Sequence, residues 1–143
     1  MIFWERLKSF SALYEKLTEP IREEYDLTQL EFDILMFLYN NPQYKTANDV
    51  VRVRRLAKSH VSTSVASLKK KGLLAGSYME GNRKSIRLER TPAAAEIVSA
   101  GAAAQNAYGE ILARGFSETE KEQFRELFLR ICDNANTELE RRL

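Results

Sequence analysis

One cysteine, three prolines, six glycines and a single histidine are all that this 143-residue chain holds of those residue types. With Cys132 alone there is no internal disulfide, so folding must rest on a core rather than on covalent staples. A lone His60 and no clustered carboxylates leave nothing to hold a metal, and none is expected. The longest strongly apolar run, residues 34–39 (ILMFLY), is far short of the ~20 residues of a membrane-spanning helix. In the opening MIFWERLKSF, Glu5 and Arg6 arrive before an apolar h-region can form, so no signal peptide is expected and a cytoplasmic location follows. No Gly-rich phosphate loop or G-x-S-x-G elbow occurs, and Glu23 and Glu24, adjacent on a helix, point apart. No catalytic residue and no cofactor site is expected, and a non-enzymatic protein is the reading. An enzyme reading would need a deep polar pocket with converging titratable groups.

What is present is ordinary in total and uneven in distribution. Apolar residues at 44% and charged residues at 29% match a single globular domain, taken as residues 1–143. Between Val50 and Arg90, eleven Lys and Arg face only Glu80 and Glu89, a net +9; the whole chain is +2, so the remainder carries −7. A basic middle between acidic ends fits a polyanion partner, with a solvated basic face as the alternative.

The periodicity predicts a mainly α (α+β) fold. Phe3, Leu7, Phe10, Tyr14, Leu17 and Ile21 step 4-3-4-3-4 along a long first helix, with a kink expected at Pro20. Thr28 and Glu31 form a capping box for a helix buried on nearly all sides from Phe32 to Tyr39. Thr46 caps a short helix, and the next runs from Lys58 to about Lys71 with Val61, Val65 and Leu68 inside and Gly72 closing it. LLAGSYME and SIRLE read as strands joined by a basic turn, GNRK (81–84). Thr91 and Pro92 start a helix with the seam Ile97, Gly101, Ala104, Tyr108 and Ile111, whose small residues permit close helix approach. Ser117 and Glu120 cap the last helix, which carries Phe124, Leu127, Phe128, Ile131 and Leu139.

A short helix, a turn, a second helix and a hairpin make a helix-turn-helix with a wing. The stretch LAKSHVSTSV (56–65) then has a purpose. Its outer residues, Lys58, Ser59, His60, Ser62, Thr63 and Ser64, are poor helix formers. They are short, can donate hydrogen bonds, and include no acid to repel phosphate. Such a face suits the major groove, with its N-terminal residues leading. Arg83 and Lys84 would reach the neighbouring minor groove or backbone, and Thr46 and Arg55 complete the DNA-facing set. Arg52, Arg54 and Lys69–Lys71 remain open between phosphate contact and solvation. Tyr14, Tyr39 and Tyr108 remain open between an effector pocket and plain core.

The run KTANDVVRVRRLAKSHVSTSVASLKKKGLL, followed by GNRKSIRLERTP, resembles the MarR family of bacterial winged-helix regulators. The matching features are Lys58, Ser59, Val61 and Ser62 of the recognition helix, its exit through Leu68, Gly72 and Leu73, and the wing. DLTQLEFDIL and the first helix also fit. The resemblance implies a homodimer built from the terminal helices (1–27 and 92–143) around a DNA-binding lobe (28–91). It implies a palindromic operator of double-stranded DNA, and repression relieved by a small effector or by oxidation, the effector taken as aromatic or phenolic. Phe3, Leu7, Phe10, Tyr14, Ile111, Phe124, Phe128 and Ile131 are the expected dimer contacts. Two positions depart from the family pattern. Asn82 stands where the wing usually has Asp. Ala57 stands where a Ser or Thr often caps, at a cost of about 1 kcal/mol. The competing reading is a winged-helix module for protein partners, its basic residues serving solubility alone.

Overall fold

Thr28, Thr46 and Ser117 begin three helices by the same device. Each hydroxyl oxygen accepts from the backbone N–H three residues on, where Glu31, Asp49 or Glu120 accepts in return from the cap's own N–H. These boxes start α2 (Gln29–Asn40), α3 (Ala47–Arg54) and α6 (Glu118–Arg142). The other elements are α1 (Ile2–Glu24), which continues through Pro20, α4 (Lys58–Lys70), β1 (Leu74–Met79), β2 (Asn82–Arg90) and α5 (Ala95–Leu112). The computed structural model describes residues 2–79 and 81–143, without the side chains of 2, 3, 79 and 82–85. Two compact units result, Met1–Tyr108 and Gly109–Leu143, with α5 running from the first into the second.

In the first unit the core is centred on α2. Phe32, Ile34, Leu35 and Met36 are buried with Val50 of α3, Val61 and Leu68 of α4, and Ile97 of α5. Removing each such side chain from water contributes roughly 1.5–3 kcal/mol, which is what holds α4 by its inner stripe. Gly101 lets α5 close on α2: a Cβ there would lie 2.4 Å from Met36 Sδ and 3.1 Å from the Phe32 ring.

α3 ends at Arg55, whose left-handed backbone (φ 51°) turns the chain into α4. α4 ends in a Schellman motif, with Gly72 N–H on Lys69 O (3.0 Å) and Leu73 N–H on Leu68 O (2.9 Å). Gly72 at φ 74° supplies the left-handed residue this closure needs.

β1 and β2 pair antiparallel from Leu74↔Arg90 to Tyr78↔Ile86, then shift register to Met79↔Asn82. The expected turn at GNRK is therefore corrected: β2 already begins at Asn82, so Arg83 and Lys84 belong to the strand. Pairing runs past the turn-forming residues because, beyond Gly81 at φ 73°, nothing in NRK blocks a ladder. A bridge between Thr46 and Arg87, with Leu88 N–H on Lys45 O (2.7 Å), ties the wing to the start of α3. Thr91 is also corrected. It precedes a 3₁₀ turn at Pro92–Ala94 without capping it by its side chain. Its hydroxyl donates instead to Gly72 O (2.6 Å), joining the wing's exit to the end of α4.

In the second unit Gly115 (φ 82°) breaks the chain after α5, and α6 follows its capping box. No residue of α6 is buried; the Phe124 and Phe128 rings stack at 5.7 Å on its surface.

Candidate nucleic-acid interface

α4 has two unlike sides. Val61, Val65 and Leu68 are buried, whereas Lys58, Ser59, His60, Ser62 and Thr63 are exposed. Ser64, expected on the outer face, is corrected: it lies buried, three residues after Val61 and four before Leu68, on the side that packs inward. Thr63 Oγ1 donates to Ser59 O (2.9 Å). Ala57 makes no side-chain cap, as its type dictates, which leaves the first-turn amides of α4 to other acceptors. The helix carries no carboxylate. Donors, a cation and no acid form a surface chemically matched to phosphate and base edges.

The remaining candidates divide. Arg55 is exposed at the turn leading into α4. Thr46 is half-buried and its side-chain oxygen serves the cap of α3. The side chains of Arg83 and Lys84 lie outside the described residues, as does that of Phe3. Arg52 pairs with Asp49 (3.3 Å) and lies over the Tyr44 ring, and Arg54 faces Asp33 at 3.7 Å.

Lys71 has a structural role that local spacing did not reveal. Its ammonium donates to Glu31 Oε2 at 2.8 Å and also contacts Asp26 O. Burial raises the Glu31 pKa, but hydrogen bonds from Lys71, Ser67 and the Thr28 backbone outweigh it and hold the carboxyl below its ordinary value. This pair spans forty residues and pins the end of α4 to the start of α2.

The tyrosines separate as well. Tyr39 is exposed under the Arg90 guanidinium, 5.2 Å from its ring centre. Tyr14 and Tyr108 meet edge to face at 5.4 Å and line a cavity of about 380 Å³ with Phe10, Asp33, Arg54 and Gln105. Gln105 Nε2 donates to the Tyr14 hydroxyl (3.0 Å), and the Tyr108 hydroxyl donates to Phe10 O (3.1 Å). Burial raises both phenols above their ordinary pKa. It also raises Asp33, against the opposing pull of Gln29, Arg54 and Arg22.

Of the expected dimer contacts, Leu7, Tyr14 and Ile111 are half-buried, and Phe10, Phe124, Phe128 and Ile131 are exposed. Among the described residues no group of three or more His, Cys, Asp or Glu could hold a metal, and no helix is long and apolar enough to cross a membrane.

A helix-turn-helix followed by a two-stranded wing defines a winged-helix protein. Residues 25–77 match the family model described as MarR family. No curated protein matches the chain. Among solved structures, the fold is similar to a MarR protein from Peptoclostridium difficile (17% identity, 96% of this chain and 90% of that one, TM-score 0.84). It is similar to a putative MarR family transcriptional regulator from Listeria monocytogenes complexed with a 26mer DNA (16%, 92% and 87%, 0.82). It is also similar to the MepR–DNA complex of S. aureus (18%, 92% and 97%, 0.77). Residues 25–77 are thus similar to the MarR family, and the likeness of fold extends over more than nine-tenths of the chain.

Proposed function

We propose that this protein is a DNA-binding transcriptional regulator that acts as a homodimer on a palindromic operator and represses until a small effector releases it. The observation that carries this reading is the exposed, acid-free face of α4, with Lys58, Ser59, His60, Ser62 and Thr63 together behind the Arg55 turn. Phosphate contacts from such residues supply most of the affinity by counterion release. Base-edge contacts from the hydroxyls supply the choice of site. The exposed apolar residues of α6 support assembly of two copies, which would present two recognition helices to half-sites one DNA turn apart. Residues 1–27 and 92–143 serve assembly on this reading, and 28–91 form the DNA-binding lobe. The cavity beside Tyr14 and Tyr108 is the effector site, its aromatic lining suited to a ring. The Listeria and S. aureus relatives solved with DNA support the assignment.

The test is binding to random duplex DNA across a salt series, followed by selection of bound fragments from the source genome. The expected result is salt-dependent binding and recovery of an inverted repeat. No binding to duplex DNA at low salt would overturn the reading in favour of a protein-partner module.

A further inference from the structure

At the base of the wing, β2 and the loop after α2 enclose a separate cavity of about 330 Å³. Leu38, Pro42 and Leu88 give it apolar surface. Tyr44 adds a ring held in place, with Phe37 stacked on it at 5.8 Å and the Arg52 guanidinium 5.7 Å from its centre. Three cations, Lys45, Arg87 and Arg90, share the lining with one carboxylate, Glu89, a net +2. Glu89 is taken by Arg87 at 3.2 Å. Arg90 lies over the Tyr39 ring, and among the described residues neither it nor Lys45 pairs with a carboxylate. Asp49 supplies none, because its oxygens accept from the Lys45 and Thr46 backbone and from Arg52. The Lys45 side chain starts from a fixed point: its N–H donates to Asp49 Oδ2 (3.0 Å) and its carbonyl accepts from Leu88 N–H (2.7 Å). Surplus cations beside apolar walls concentrate positive potential in the cavity.

We propose that this cavity binds a free phosphomonoester of a flat ring, the class that includes mononucleotides. The charges choose the head. A phosphomonoester carries about −1.5 to −2 at neutral pH, which matches the surplus. Guanidinium forks and an ammonium meet its oxygens with charge-assisted hydrogen bonds. A carboxylate or a sulfate ester brings a single charge and leaves part of the surplus unmet. The walls choose the tail, since Tyr44, Leu38 and Leu88 offer a ring apolar surface that bare phosphate leaves wet. Lys45 belongs to the loop and Arg87 and Arg90 to β2, two pieces already joined by the Thr46–Arg87 bridge. An occupant held by all three fastens the wing to the start of α3. Binding here does not rest on the regulator reading.

Titration calorimetry of 2-naphthyl phosphate, 2-naphthyl sulfate and inorganic phosphate against the full chain tests the proposal. The phosphate ester is expected to bind at least ten-fold tighter than its monoanionic isostere and than inorganic phosphate. Lys45→Ala and Arg90→Gln, both at exposed positions, should each weaken it at least five-fold. Tyr44→Leu should weaken the ester several-fold and leave inorganic phosphate unchanged. Lys8→Ala, an exposed lysine on α1, should change nothing. No binding of the ester, equal binding of the sulfate or of inorganic phosphate, or a loss as large in Lys8→Ala as in Lys45→Ala would overturn it. The phosphate could instead belong to a DNA strand. In that case the free ester does not bind, and Lys45→Ala lowers the slope of log DNA affinity against log salt by about 0.9, which would also overturn the proposal. If no DNA is ever bound, the regulator reading fails, and the calorimetry still decides the ligand.

Discussion

α4 and α6 each leave one side to solvent, and the two sides are opposites. On α4 the exposed residues are Lys58, Ser59, His60, Ser62, Thr63, Ala66 and Lys70, while Val61, Val65 and Leu68 are buried. On α6 the exposed residues include Phe124, Leu127, Phe128 and Ile131, each about half open or more, and no residue of the helix is buried. A contiguous apolar surface of that kind marks a binding face. A helix that gives up propensity for hydroxyls is shaped for a polar partner, whereas one that spends its aromatics on solvent is unfinished without an apolar one. On the proposed function the two faces take different partners, and they can be broken separately.

The largest effect falls on α6. If α6 holds the proposed dimer together, Phe128→Glu combined with Ile131→Glu should raise its dissociation constant at least 100-fold, since central aromatic and aliphatic anchors contribute about 2 kcal/mol or more each. Sedimentation equilibrium reads this directly. Assembly unchanged by both charges would place the interface elsewhere and undo the contrast.

Next comes the anchor of α4. Glu31→Gln should cost about 2 kcal/mol, because it removes the charged partner of Lys71 from a buried position. The pH dependence has a definite sign. The folded-state pKa of Glu31 is lowered, so its contribution is present above the unfolded value and is lost as pH falls through the folded one. Urea midpoints at pH 7 and at about pH 3.5 should therefore converge more in the variant than in the native protein. An equal acid loss in both would assign the dependence to other carboxylates, Asp49 first, whose pKa is also lowered. There burial raises the pKa, and hydrogen bonds from Thr46 and Lys45 outweigh it.

The caps at Thr28, Thr46 and Ser117, the inner stripe of α4 and the small Gly101 were legible in the sequence because each follows a local rule of spacing or size, whereas Thr91 was misread as a cap. The open face of α4 was legible too, apart from Ser64, which a run of hydroxyls disguised as surface. Glu31 with Lys71, and Asp33 with Arg54, were not legible. Each pair joins segments about twenty to forty residues apart, and a charge gives no periodic signal when its partner is distant. The basic run Lys69–Lys71 read as one feature, yet Lys71 is held by Glu31 while Lys70 is exposed. Tyr14 and Tyr108 could be told from Tyr39 only once α1 and α5 lay side by side.

Smaller effects sharpen the reading of α4 itself. Ser62→Ala should change the preference between operator variants by about 1–2 kcal/mol while altering affinity for random duplex far less, as a base-edge contact requires. Competition binding on a panel of single-base variants measures it. Equal losses on every sequence would assign Ser62 to the backbone instead.

The smallest effect is the most discriminating, because it sets two lysines of one segment against each other. Lys58 is exposed at the first turn of α4, and Lys71 is bound to Glu31 at its far end. If Lys58 neutralises one phosphate, Lys58→Ala should lower the slope of log affinity against log salt by about 0.9, with a loss near 1 kcal/mol at moderate salt and no change in folding stability. Lys84→Ala on the wing should do the same. Lys71→Ala should do the reverse, lowering the urea midpoint and leaving the slope alone, since its charge is already compensated within the protein. A salt series on each variant, beside its denaturation curve, separates the outcomes. Equal slopes for Lys58→Ala and the native protein would remove Lys58 from the phosphate contacts, and a lowered slope for Lys71→Ala would show that its ion pair opens to meet DNA.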